Sequence, residues 1–279
     1  MIFKTFRIGS ICFFLLLFAP RCSDKPAERL VDLGGYKVFM KTAGRGSQTV
    51  VIEDMLTGQS VFWDSVLTNL SHITAVMTYD RPGTGQSESS PRPRTNEKMA
   101  EELHALLKSE KIKPPYILVG SSYESFITRT FTDLYPSEVS GMVLVDPVHE
   151  DQFAEMKKLR SDQQWQEFLN RQDQLAASLG EGSRREWENF FLNAEAIREI
   201  DLPGNIPILI ITSKRYSEWE EQMLYLEQDI QKKFELHRQW VNDNPNVFQI
   251  VTENSGHNIT ATEPQLVIDA ILKIYVMVR

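Results

Sequence analysis

Short, continuous apolar runs recur along this chain, and between most of them the apolar positions switch to a helical spacing. Thr49 to Glu53 (TVVIE), Ile73 to Tyr79 (ITAVMTY), Tyr116 to Val119 (YILV), Met142 to Val145 (MVLV), Ile206 to Thr212 (IPILIIT) and Val247 to Val251 (VFQIV) are runs of this kind. Runs without polar alternation suit strands buried on both faces. Ahead of them, Leu30 to Thr42 forms two alternating segments around Gly34 and Gly35, which is a hairpin signal. Helical patterns occupy Glu97 to Leu107, Phe126 to Leu134, Trp219 to Arg238 and Pro264 to Val276. The pattern predicts an α/β fold with a mostly parallel eight-stranded sheet, helices on both faces and an antiparallel hairpin at its start. One stretch breaks the rhythm. His149 to Leu202 has no strand signal and reads as several helices inserted after the sixth strand.

The first 22 residues have a different character. Lys4 and Arg7 precede an apolar run from Ile8 to Phe18, and a polar segment follows. That is the pattern of a secretory signal peptide, or of an N-terminal membrane anchor if it is retained, so the protein is expected to be exported. Cys22 stands where a lipidated cysteine would, although Arg21 replaces the small residue usual before one. The only other cysteine, Cys12, lies inside the run and would leave with it. The mature chain, residues 23–279, then holds neither an internal disulfide nor a cysteine-based metal site. The formal net charge of −8 provides no basic field for a phosphate backbone, so nucleic acid is not an expected partner. Membrane attachment is expected only through the N-terminus.

In a parallel sheet, ligands bind beyond the carboxyl ends of the strands. After YILV comes Gly120-Ser121-Ser122-Tyr123-Glu124, four-fifths of a G-x-S-x-G turn that would lift the Ser122 hydroxyl clear of the sheet. The last strand is followed by Asn254-Ser255-Gly256-His257, and His257 is the one histidine of five placed to act as a base toward Ser122. A carboxylate should fix its tautomer. Asp146, directly after MVLV, is the preferred candidate, and Glu218, after the Ile206 to Thr212 strand, is the alternative.

These features together resemble the α/β-hydrolase superfamily, of the serine-hydrolase type with a helical cap, from Leu30 to the C-terminus. The resemblance also rests on Asp80-Arg81-Pro82-Gly83-Thr84-Gly85-Gln86-Ser87, similar to the family's D-x-P-G-x-G-x-S turn, and on the chain order serine, acid, histidine. It implies that the backbone N–H groups of Leu56 and Tyr123 form an oxyanion hole, and that the insertion at about 149–202 caps the nucleophile. The sequence departs from the family pattern in three places. Tyr216 stands where the acid is usual, Met55 where a glycine often precedes the first oxyanion donor, and Glu124 where the elbow ends in glycine. A bare Glu124 carboxylate about 8 Å from the oxyanion would oppose it by on the order of 2 kcal/mol, giving a slower hydrolase rather than an inactive one.

The expected function is therefore a serine hydrolase acting on a carboxylic ester or related small-molecule acyl compound, without metal or cofactor. The insertion offers Phe153, Met156, Trp165, Phe168, Leu169, Phe190 and Phe191 as candidates for an acyl pocket. Two other readings stay open. The departures at Met55, Glu124 and Tyr216 suit a catalytically silent fold that binds a ligand or partner, and Glu150, Asp151 and Glu155 could grip the free amine of an aminopeptidase substrate.

Overall fold

The computed structural model describes residues 26–53, 55–56 and 60–279. The expected leader and both cysteines lie outside the described residues. The strands are β1 (Ala27–Asp32), β2 (Lys37–Ala43), β3 (Thr49–Glu53), β4 (Ala75–Tyr79), β5 (Tyr116–Ser121), β6 (Val139–Val145), β7 (Ile208–Ser213) and β8 (Val247–Thr252). They form one sheet in the order β1-β2-β4-β3-β5-β6-β7-β8. β1 and β2 pair antiparallel as the Gly34-Gly35 hairpin, β2 pairs antiparallel with β4, and every pairing from β4 to β8 is parallel.

The helices are α1 (Asp64–Ser71), α2 (Asn96–Ser109), α3 (Ser125–Leu134), α4 (Gln152–Lys158), α5 (Asp162–Leu179), α6 (Glu181–Glu188), α7 (Phe190–Ala196), α8 (Glu218–Gln222), α9 (Glu227–Asp243), α10 (Ile259–Thr262) and α11 (Pro264–Val278). Successive strand residues serve opposite faces of the sheet. Val50 and Ile52, Ile117 and Val119, and Val143 and Val145 pack with Leu67 of α1 and Ile271 of α11. Val51, Leu118, Met142 and Leu144 pack on the other face with Leu103 of α2 and Phe126 of α3. Both faces are covered, which is why these strands read as unbroken apolar runs rather than alternating ones.

Helices α4 to α7 form the expected insertion between β6 and β7. Polar contacts fasten it to the sheet domain. The Gly182 N–H donates to the Gly83 carbonyl at 3.0 Å, and Arg185 donates to the carbonyls of Ser90 and Arg92 at 2.9 Å each. In α7, Asn193 accepts from the Asn96 N–H at 3.0 Å and donates to the Tyr123 hydroxyl at 2.6 Å. One expected element differs. The helical pattern from Trp219 to Arg238 is two helices, α8 and α9, because the chain turns at Leu224, whose φ of 61° no α-helix accommodates. The break sets α8 as a separate short segment beside the loop after β8.

Candidate active site

Strand β5 ends at Ser121, and the chain turns at once through Ser122 to Glu124 into α3. Gly120 permits the turn, since a Cβ there would lie 2.3 Å from the Thr128 hydroxyl and 3.1 Å from the Glu124 carbonyl. Ser122 has φ of 59°, a left-handed conformation that costs a non-glycine residue energy and marks sites the surrounding fold over-determines. The strain lifts its hydroxyl away from the strand end. There, Ser122 Oγ lies 2.9 Å from His257 Nε2, and His257 Nδ1 lies 2.7 Å from Asp146 Oδ2.

A carboxylate accepts only, so the proton of a neutral His257 belongs on Nδ1. Nε2 then faces the Ser122 hydroxyl as an acceptor, which is the tautomer a general base needs. Asp146 sits directly at the end of β6 with φ of 43°. Its Oδ1 accepts the Ser213 N–H at 2.9 Å, and its Oδ2 also accepts from Lys233 Nζ of α9 at 2.6 Å. Burial alone would push this carboxyl up. The Lys233 ammonium, the hydrogen bond to His257 and the charges of His257 and His237 together outweigh that and hold it well below the usual carboxylate range. The group is ionised at neutral pH.

The structure brings Asp146, and not Glu218, to the imidazole. Glu218 is exposed at the start of α8 and accepts from Gln222 in its own helix at 3.1 Å. Tyr216, at the family's usual acid place, donates to the Tyr225 carbonyl at 2.9 Å. Sequence reasoning missed two residues here. Glu220 is buried and accepts the His257 N–H at 2.7 Å and the Ser217 N–H at 3.0 Å, so it pins the backbone of the histidine loop. Gly256 makes room for that carboxylate, since a Cβ would lie 2.9 Å from it. Lys233 is the second, and nothing in the pattern of α9 sets it apart from its half-buried lysine neighbour Lys232. The capping spacing Ser217 to Glu220 was a usable signal for the first.

Glu124 corrects the expectation of an unopposed charge. It is fully buried and accepts from Arg81 Nη2 at 2.9 Å. The same guanidinium pairs with Glu186 of α6 at 2.9 Å and Glu53 of β3 at 3.7 Å, while Arg94 pairs with Glu186 at 3.1 Å and Glu102 at 2.6 Å. Among the described residues, two arginines therefore face four carboxylates. Burial pushes Glu53 up to about 7 against the pull of Arg81, and its partner is the Tyr79 hydroxyl, so the cluster sheds part of its excess negative charge at neutral pH. The paired Glu124 contributes far less repulsion at the serine than a bare carboxylate would.

Ser122, Asp146 and His257 open onto a cavity of about 170 Å³, whose wall includes Met55, Leu56 and Tyr123. Phe153 and Phe190 of the insertion line it, as expected, joined by Leu175, Leu179 and Trp187. Met156, Trp165 and Phe168 are instead buried in the core behind it, and Phe191 is half exposed. On the other wall Trp219 stacks on His257 with ring centres 5.3 Å apart, and Tyr225 and Ile230 continue the apolar surface. The three carboxylates considered for amine binding are engaged elsewhere. Glu150 pairs with Arg129, Asp151 with Arg198 and Glu155 with Lys158, and none of the three lines the cavity. Among the described residues no group of three or more His, Cys, Asp or Glu side chains is arranged to hold a metal ion.

A second histidine lies behind the acid. His237 of α9 is fully buried, with Nε2 2.9 Å from the Pro147 carbonyl and Nδ1 2.9 Å from the Thr212 hydroxyl. Burial pushes it down to about 3, although Asp146 pulls the other way. The unfolded chain takes up this proton near pH 6.5 and the folded one only near 3, so acid favours unfolding across that window. We expect the advantage in unfolding free energy of wild type over His237→Gln to shrink by about 2 to 3 kcal/mol between pH 7 and pH 4.5. Urea titrations of the pair measure it, and the comparison cancels Glu53, which titrates in the opposite sense. An unchanged difference would mean that His237 is charged when buried.

Comparison with known proteins gives the same architecture. A family model described as the alpha/beta hydrolase fold matches residues 48–232. The uncharacterised protein YqjL of Bacillus subtilis is 28% identical over 239 residues, covering 83% of this chain and 85% of its own. Solved structures of similar fold include the following two. A thermophilic esterase from Thermogutta terrifontis has a TM-score of 0.64 at 15% identity, covering 91% of this chain and 99% of that one. A mutant epoxide hydrolase from Vigna radiata has a TM-score of 0.66 at 15% identity, with the same coverage. With a serine at the strand-to-helix turn, an eight-stranded sheet of this order and a family model spanning most of the domain, the chain belongs to the α/β-hydrolase fold family.

Proposed function

We propose that the protein is an exported serine hydrolase that cleaves small carboxylic esters or related acyl compounds through an acyl-enzyme. The observation that carries this reading is the continuous hydrogen-bonded line from Ser122 through His257 to Asp146, drawn from three strand ends, with His257 more than a hundred residues along the chain from either partner. Ser122 Oγ attacks the acyl carbon while His257 Nε2 takes its proton. Asp146 stabilises the imidazolium that results. The N–H groups of Leu56 and Tyr123 receive the negative charge that develops on the carbonyl oxygen, each worth about 2.7 to 4 kcal/mol in the transition state. His257 returns the proton to the leaving alcohol, and water then repeats the cycle in reverse roles to free the acid. The leader pattern supports export.

The cavity bears on substrate size. At about 170 Å³ the cavity falls below the roughly 300 to 1,000 Å³ typical of sites for drug-sized ligands, so it suits a small acyl group. Its wall is mostly apolar and aromatic, which favours a short aliphatic or single-ring acyl group. We expect the leaderless protein to react with a fluorophosphonate and to hydrolyse p-nitrophenyl butyrate at least about tenfold faster, in kcat/KM, than the dodecanoate, since surplus methylenes find no room. Equal rates would remove the size argument. If neither the probe nor short esters react, the silent binding fold becomes the better reading.

A further inference from the structure

Arg81 follows β4, yet its guanidinium gathers groups from three other parts of the chain. It bonds both carboxylate oxygens of Glu186 from the insertion, at 2.9 to 3.2 Å, and Glu124 of the serine turn at 2.9 Å, with Glu53 of β3 at 3.7 Å. Every one of these side chains is at most 1% exposed. The planar fork of arginine suits such a set, and a lysine would satisfy only part of it. One further contact turns this cluster toward the chemistry. Arg81 Nη2 donates to the Met55 carbonyl at 3.3 Å.

The Met55 carbonyl and the Leu56 N–H belong to a single peptide unit. That unit is planar and trans, so the two groups point in opposite directions. Drawing the oxygen toward the buried guanidinium turns the N–H away from it, on a segment that shares the cavity wall with Ser122. The next carbonyl is held as well, because Leu56 O accepts from Ser183 Oγ of α6 at 2.6 Å. Both grips on this short segment lead to α6, one directly and one through Glu186 and Arg81.

We propose that Arg81 is a positioning residue for the oxyanion hole: it orients the Met55–Leu56 peptide, and Glu124 and Glu186 hold its guanidinium in place. The proposal rests on the serine-hydrolase reading and on Leu56 as an oxyanion donor. It gives Glu124 a task, as an added partner for the arginine where the family has a glycine. It also makes α6 of the insertion part of the catalytic framework, beyond its role as a cover.

The test compares kcat and KM for p-nitrophenyl butyrate in Arg81→Lys, Glu124→Gln, Glu124→Gly and Ser183→Ala. A misoriented donor weakens transition-state binding and leaves ground-state binding in place. We expect kcat to fall about 10- to 100-fold in Arg81→Lys, short of the ~10²- to 10³-fold of a lost donor, with KM within about twofold. Glu124→Gln and Ser183→Ala should show the same split at smaller size, and Glu124→Gly should lower kcat although it restores the family residue. Wild-type kcat in Arg81→Lys, a faster Glu124→Gly, or a change confined to KM overturns the proposal. If Arg81→Lys does not fold, unchanged kcat in both Glu124→Gln and Ser183→Ala overturns it equally. Failure of the hydrolase reading has its own signature, a wild-type protein inert to fluorophosphonate and esters. In that event the Leu56 amide resonance decides: it shifts in Glu124→Gln if the arginine orients that peptide, and a resonance that stays in place rejects the proposal.

Discussion

Replacing Ser122 with alanine is expected to lower kcat for ester hydrolysis about 10⁶-fold, the scale seen when a triad nucleophile is removed. The reason is geometric. The hydroxyl stands 2.9 Å from His257 Nε2 on a residue held at φ of 59°, and no other described hydroxyl shares that position. Without it no acyl-enzyme forms, and the His257–Asp146 pair retains no nucleophile to activate. His257→Ala should cost nearly as much, and the double variant should be no worse than either single one, because the residues act as a unit. Steady-state rates on the three folded proteins, each confirmed by circular dichroism, settle the matter. A Ser122→Ala protein within about tenfold of wild type would assign catalysis to another residue.

Asp146→Asn is the second large effect. An amide in place of the carboxylate permits the wrong imidazole tautomer and withdraws the charge that stabilises the imidazolium, for an expected loss of about 10⁴-fold in kcat. In this protein the substitution has another consequence. Lys233 is buried and 2.6 Å from the same carboxylate oxygen, so the change strands an ammonium in the interior. Breaking a buried pair by removing one partner costs about 3 to 5 kcal/mol. Asp146→Asn should therefore unfold at lower urea as well as turn over slowly, and adding Lys233→Met should recover stability without recovering rate. Glu218→Gln is the control, since its exposed carboxylate bonds only within α8, and it should change neither quantity measurably. If Glu218→Gln were the slower enzyme, the acid would have been assigned to the wrong strand end.

Much of this is legible in the sequence, and for a physical reason. Buried parallel strands must be apolar on both faces, so TVVIE, YILV and MVLV announce themselves as runs, and the catalytic candidates follow them because parallel sheets present their loops at the carboxyl edge. Ser122 and His257 are recognisable by that placement, with the near-complete G-x-S-x-G turn marking the serine. The acid is not. Asp146 and Glu218 each follow a strand at that edge, and sequence spacing carries no information on which of two adjacent loops faces the histidine. The single helix expected from Trp219 to Arg238 failed for a related reason, because a left-handed Leu224 leaves the apolar periodicity on either side of it intact.

What the sequence by itself determined is therefore the order of the elements, the fold class and the two residues whose roles depend on following a strand. What only the tertiary structure decided is every pairing across distant segments: Asp146 with Lys233 across 87 residues, Arg81 with Glu186 across 105, and Glu220 with the His257 backbone across 37. Strand burial and turn geometry are properties of neighbouring residues and leave a local trace in the sequence. A buried charge finds its partner through the packing of the whole domain, and until the chain has folded, Lys233 is one lysine on a helix and Glu124 is an unopposed carboxylate.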